Sequence, residues 1–240
     1  MKSRSFIELI KGIYYIVKAD YYSKIKLYDL ALEYYTKILK LNNNHSGVYF
    51  NRGNAYYNLR QFENAIIDYS KAIKIDKNDK TIFFNSVGAY CNRGWAYLKL
   101  KQYENAINDF SNIIIQIDKN DSKAYYGRGC AYYCLKQYEN AIIDFSKAIK
   151  INTKYDEAYY WRGNTYYCIE QYENALKDHS SAIKINNKFV EAYDSRANIY
   201  FQLLEYKKAL KDYEKILEID PNFPNTKENI EILKLKVNDL

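Results

Sequence analysis

The residues of this 240-residue chain best suited to metal or nucleophilic chemistry are four cysteines and two histidines. Cys130 and Cys134 lie one helical turn apart, and Cys168 follows Cys134 by 34 residues, so three thiols could converge as a soft-metal or redox site. No fourth ligand accompanies them, there is no CxxC pair, and cysteine is equally at home as a small apolar packing residue. His179 occupies a place where equivalent segments carry Tyr or Phe, which reads as a packed histidine rather than a base. No glycine-rich phosphate loop is present. These residues point to no enzyme and to no cofactor.

What must position any functional group here is a repeat. "QFENAI" at 61–66 returns as "QYENAI" at 102–107 and 137–142 and as "QYENAL" at 171–176. The segments "NRGNAYY", "NRGWAYL", "GRGCAYY", "WRGNTYY" and the weaker "SRANIYF" place Gly53, Gly94, Gly129, Gly163 and Ala197 at steps of 41, 35, 34 and 34 residues. One step further back from Gly53 lies Ala19, in a divergent first copy. Each copy carries helical periodicity twice. Tyr49, Gly53 and Tyr56 share one face, and Ala65, Tyr69, Ala72 and Ile73 form an inner stripe on a second helix. Small residues let the two backbones approach and the aromatics fill the space between them. One helix pair cannot bury both of its faces, so the pairs must stack.

The pattern Tyr49-x₂-Arg52-Gly53-x₂-Tyr56, Ala65-x₃-Tyr69, Ala72 resembles the tetratricopeptide repeat, with Ala106-x₃-Phe110, Ala141-x₃-Phe145, Ala175-x₃-His179 and Ala209-x₃-Tyr213 in later copies. Arg stands where the family usually has Leu before the glycine, and the closing Pro survives only as Pro221. The resemblance implies an all-α, right-handed α-solenoid of antiparallel helix pairs. It covers residues 1–240 as one domain, with units at about 12–45, 46–79, 87–121, 122–155, 156–189 and 190–223 and a capping helix at 225–238. Asn225, with Glu228 three residues on, is a candidate cap for that last helix, and Ile230, Leu233 and Val237 form its apolar face. Residues 3–11 lengthen the first helix.

Two irregularities interrupt the period. "SNIIIQID" at 111–118 has one residue too many, which predicts a bulge or a lengthened turn. A seven-residue excess at 80–86 amounts to nearly two turns, so a helix could lengthen there without rotating its packing face. Ile82, Phe83 and Phe84 then either fold back on the adjoining loop or form a secondary docking knob.

The resemblance also implies function: a concave groove lined by the first helices, holding an extended peptide or partner segment. The residues in register with it are Phe50, Asn54, Tyr57, Asn92, Trp95, Lys123, Tyr126, Tyr133, Tyr160, Trp161, Asn164, Tyr167, Asn198 and Phe201. They are aromatic and amide-rich; aromatics supply contact area and amides both donate to and accept from a peptide backbone. The clamp that co-chaperone members use on a carboxylate tail is matched at Asn54, Asn92 and Lys123, but Phe50 and Gly127 replace two of its cations, so no such chaperone tail is expected. Single-stranded RNA is the alternative ligand. The net charge of +7 is concentrated as +10 in residues 1–155, but Asp20, Glu157, Glu191 and Asp194 oppose phosphates in the groove and make nucleic acid the weaker reading. No segment has the roughly 18 uncharged apolar residues of a membrane span, and the N-terminal apolar run is broken by Glu8 and Lys11. A cytoplasmic protein with reduced thiols is expected.

Overall fold

The structure is a computed structural model that describes residues 2–78 and 84–238, with side chains over 7–76 and 87–238. The described residues form thirteen α-helices and no strand, grouped in two compact bodies, Met1–Lys119 and Asn120–Leu240. The first body holds three pairs: α1 (Lys2–Lys24) with α2 (Tyr28–Leu41), α3 (Ser46–Asn58) with α4 (Phe62–Asn78), and α5 (Phe84–Lys99) with α6 (Tyr103–Asn112). The second holds α7 (Ser122–Cys134) with α8 (Tyr138–Ile151), α9 (Asp156–Cys168) with α10 (Tyr172–Ile185), α11 (Val190–Gln202) with α12 (Tyr206–Ile219), and a single last helix, α13 (Thr226–Asn238). Within each body a helix packs on its neighbours in sequence and at most on the next but one, the contact pattern of a stacked repeat. Six pairs and a final helix agree with the six units and cap read from the period.

The close approach inside four of the six pairs is made by the repeated glycine, with Ala19 and Ala197 in its place in the first and last pairs. A Cβ on Gly53 would lie 2.7 Å from the Tyr69 ring, and one on Gly129 would lie 2.8 Å from the Phe145 ring. The aromatic of the second helix therefore lies directly against bare backbone of the first. Ala65, Ala106, Ala141, Ala175 and Ala209 are fully buried beside it, which keeps the second helix close along its length.

A feature absent from the sequence reading runs through the core. The arginine that replaces the family's Leu is bonded to an aspartate 16 residues on in five successive pairs: Arg52–Asp68, Arg93–Asp109, Arg128–Asp144, Arg162–Asp178 and Arg196–Asp212. Each is a two-pronged contact in which Nε and one terminal nitrogen donate to the two carboxylate oxygens at 2.6–2.9 Å. The other terminal nitrogen donates to a hydroxyl on the preceding pair, at Thr36, Ser70, Ser146 and Ser180. A tyrosine one turn earlier (Tyr49, Tyr90, Tyr125, Tyr159 or Tyr193) lies with its ring centre 5.4–5.7 Å from the guanidinium carbon. One side chain thus joins both helices of its own pair to the pair before it. The signal was present in the sequence as five Arg–Asp couples at a fixed separation.

The irregularities resolve as helix adjustments. The extra residue in "SNIIIQID" is absorbed by a π-helical turn at Ile113–Ile117, closed by Asp118 N–H donating to the Ile113 carbonyl at 2.8 Å. In the regular pair, Asn152 donates to the Ala148 carbonyl, so both chains leave the helix through the same extended conformation. Of the seven-residue excess, three residues extend α4 and three extend α5, relative to the 14- and 13-residue helices of the regular pair. The lengthening expected of one helix is shared by two. Ile82 and Phe83 lie outside the described residues, and Phe84 is the first residue of α5.

Candidate functional site

On each first helix, the residue after the repeated glycine (or the alanine in its place) is matched with the core aromatic of the second helix, 15 residues on. Where that aromatic is tyrosine, its hydroxyl donates to a polar groove residue: Tyr69 to Asn54 at 2.8 Å, Tyr213 to Asn198 at 2.8 Å and Tyr35 to Asp20 at 3.2 Å. Where it is phenylalanine, the groove residue is apolar or weakly polar, Trp95 over Phe110 and Cys130 in the pair of Phe145. The remaining pair, Asn164 and His179, keeps the amide but has lost the hydroxyl that would hold it. His179 is fully buried, and both of its ring nitrogens lack a partner among the described residues. Burial, with the Arg196 charge adding to it, pulls the imidazole down to about 4, so it is neutral at pH 7.

The aromatic residues expected in the groove divide into two sets. Phe50, Tyr126 and Tyr160 are half-buried and pack on Tyr69, Phe145 and His179 with ring centres 5.7–6.0 Å apart. Tyr126 and Tyr160 also lean on Tyr155 and Phe189 at the entries of the following first helices. Tyr57, Tyr133, Tyr167 and Phe201 lie further along the face, propped by the first aromatic of their own second helix (Phe62, Tyr138, Tyr172 and Tyr206) at 5.3–5.9 Å. Trp161 packs edge-on to Tyr133 at 5.1 Å. Lys123 is exposed on α7.

In the second body these residues enclose a hollow of about 410 Å³. Of the residues expected in the groove, Tyr133, Asn164, Tyr167, Asn198 and Phe201 line it. Cys168, one of the three thiols whose spacing allowed them to converge, also lines it, and His179, Ser195 and Gln202, not anticipated as groove residues, complete the lining. Gln202 donates to the Tyr167 hydroxyl at 2.7 Å, and the Tyr133 hydroxyl lies 3.6 Å from the Cys168 sulfur. These two contacts hold aromatics of neighbouring first helices side by side. A smaller hollow of about 150 Å³ continues past Asn198 and Phe201 to Asn229, Ile232 and Leu233, which brings α13 into the wall.

Models of the tetratricopeptide repeat match residues 13–45, 47–79, 87–115, 122–155 and 190–223, which is more than half of the chain. The chain belongs to the tetratricopeptide repeat family. The stretch 156–189 lies between the matched spans. Its helices α9 and α10 nevertheless make the same Arg162–Asp178 contact and the same glycine approach, with Gly163 against His179, as their neighbours. No curated protein matches the sequence significantly. Among solved structures, MamA is 27% identical over 70% of this chain and 94% of its own, with a TM-score of 0.62. A MamA from Desulfovibrio magneticus RS-1 is 20% identical over 75% and 97%, with a TM-score of 0.67. YrrB, a tetratricopeptide repeat protein with an unusual peptide-binding site, is 20% identical over 86% and 98%, with a TM-score of 0.59.

Among the described residues no three His, Cys, Asp or Glu side chains are grouped to hold a metal ion. Burial pushes the Cys130 thiol up to about 12, so it is a protonated thiol at neutral pH. Asn54 and Asn92, which match the carboxylate-clamp positions, are bonded to each other at 2.8 Å, and Asn54 also receives the Tyr69 hydroxyl. Among the described residues no helix is long and apolar enough to cross a membrane.

Proposed function

We propose that this tetratricopeptide chain is a non-catalytic interaction scaffold that binds an extended peptide or partner segment across the first helices of its second body. The observation that carries this reading is the hollow bordered by Asn164, Tyr167, Asn198 and Phe201, where rigidly propped aromatic faces surround amide groups. Such a surface offers contact area at low entropic cost and hydrogen bonds that suit a peptide backbone. The charge around it favours peptide over RNA. Asp194 is half-buried on α11, held above the usual carboxylate range chiefly by burial, with Glu191 adding to the effect. Glu157 on α9 contributes another carboxylate, and phosphates would meet these groups first. A cytoplasmic setting, where the four thiols stay reduced, fits the same reading.

The test is a library of short acetylated, amidated peptides, screened for binding to the full chain and to an Asn164→Ala, Phe201→Ala variant. Peptides selected by the wild type are expected to lose at least about tenfold in affinity on the variant, the equivalent of one or two lost contacts. Undiminished binding by the variant removes the groove from consideration. A steep loss of binding for single-stranded RNA between low and moderate salt, with no peptide bound, would establish the alternative instead.

A further inference from the structure

We propose that the hollow over His179 is a carboxamide pocket, which takes the side chain of an asparagine or glutamine from a peptide lying across α9 and α11. This inference rests on the groove reading above and specifies the ligand class of the same site.

The argument starts from the pairing of groove residue and core aromatic. Three of the six pairs satisfy a polar groove residue with a tyrosine hydroxyl, and two have no hydroxyl and a groove residue that needs none. Only Asn164 keeps a polar group whose internal partner has been removed. Asn164 and Ser195 make no side-chain hydrogen bond among the described residues, while Asn198, across the hollow, is occupied by Tyr213 and Asp194. At the floor stands His179, fully buried and unpartnered at both nitrogens. Gly163 is what admits the ring: a Cβ there would lie 2.9–3.1 Å from Cε1, Nδ1 and Nε2. Replacing the tyrosine of other pairs by the shorter imidazole removes the hydroxyl that fills the equivalent space under Asn54 and Asn198.

The hydrogen-bonding inventory then selects the occupant. A neutral imidazole offers one N–H donor and one acceptor; the Asn164 amide offers donors and an acceptor; the Ser195 hydroxyl offers either. A primary carboxamide matches this set, because it donates and accepts in one plane. A carboxylate only accepts, and would bring a second negative charge beside half-buried Asp194. An alkyl group would leave His179 and Asn164 unsatisfied, and an ammonium would have only acceptors to use.

The experiment uses the full chain and the same peptide library, with one position fixed in turn as Gln, Asn, Glu, Leu or Lys. Gln or Asn at that position is expected to bind about tenfold more tightly than the near-isosteric Glu and Leu. His179→Tyr restores the hydroxyl that holds Asn164 and should reduce the preference to about twofold, the measurable difference of less than one hydrogen bond. Because a tyrosine at 179 could disturb packing, Asn164→Leu, on the groove side, serves as the second variant with the same expected loss. In the wild type, the imidazole nitrogen resonances of His179 should move on adding a glutamine peptide, while those of His45, at the start of α3, stay still. Peptides that bind in the groove without carboxamide preference, or a preference that survives both variants, overturn this inference and leave the groove reading standing. Failure of every peptide to bind overturns both.

Discussion

At the scale of single residues, the arginine before the repeated glycine decides most about this chain's core. Its guanidinium is about four-fifths covered and its aspartate almost wholly so; in the fourth of the five couples Arg162 is 18% exposed and Asp178 4%. A charge that deep is stable only with its partner, and removing one member leaves the other desolvated and unpaired. Asp178→Ala is therefore expected to cost about 2–4 kcal/mol in urea unfolding, whereas the Arg162→Leu, Asp178→Ala double variant should recover more than half of it. His179 sets a second residue-scale property. Its folded value of about 4 lies below the ordinary 6.5, so the unfolded chain takes up the proton first. Its contribution is intact above about pH 6.5 and is lost as pH falls toward 4, by up to roughly 3 kcal/mol. His179→Phe, which copies Phe110 and Phe145, should flatten the decline in melting temperature across that window, as followed by circular dichroism.

At the scale of elements, the turns inside the pairs show how the repeat ends one helix and starts the next. Lys26, Arg60, Lys101, Lys136, Glu170 and Leu204 all take a left-handed conformation with φ between 58° and 62°, and none is glycine. After each, the chain is held by bonds such as Gln137 N–H to the Tyr132 carbonyl and Lys136 N–H to the Tyr133 carbonyl, both 2.9 Å. The local bonds hold a conformation that costs a side-chain-bearing residue about 1 kcal/mol. Lys136→Gly is expected to stabilise the protein by roughly 0.5 kcal/mol, the strain relief being partly offset by the freedom of glycine in the unfolded chain, and a shift in urea midpoint would register it. The repeated hexapeptide is explained at this scale too. Asn64, Asn105, Asn140 and Asn174 each donate to the glutamine three residues before, at 2.9–3.1 Å, which closes a small clasp over the start of the second helix. All four asparagines are exposed to solvent.

At the scale of the molecule, stability is spread over neighbour contacts. Within each body a helix touches only helices close to it in sequence, so damage stays local. Gly129→Ala would place a methyl 2.8 Å from the Phe145 ring and force α7 and α8 apart. Hydrogen exchange should accelerate in α7 and α8 by at least about tenfold, while α12 and α13 keep their protection; uniform acceleration across Asn120–Leu240 would mean one all-or-none unit instead. α1 has a different relation to solvent. Ile7, Leu9, Ile10, Ile13 and Val17 are each more than half exposed on this helix, which packs on α2.

The sequence by itself determined the period, the helix pairs and the family. It could do so because stacking demands small and aromatic residues at fixed intervals, and each repetition states the demand again. It also located the single surplus residue at 111–118, although only the folded chain showed it as a π turn. Tertiary structure decided what local periodicity does not encode. Arg–Asp couples 16 apart meet only when two helices of a pair lie antiparallel, and a residue such as Phe50 or Tyr160 is committed to packing by a ring that arrives from the other helix. The same holds for Asn164. Its type and place on α9 were legible, but the loss of its hydroxyl partner depends on a histidine 15 residues away.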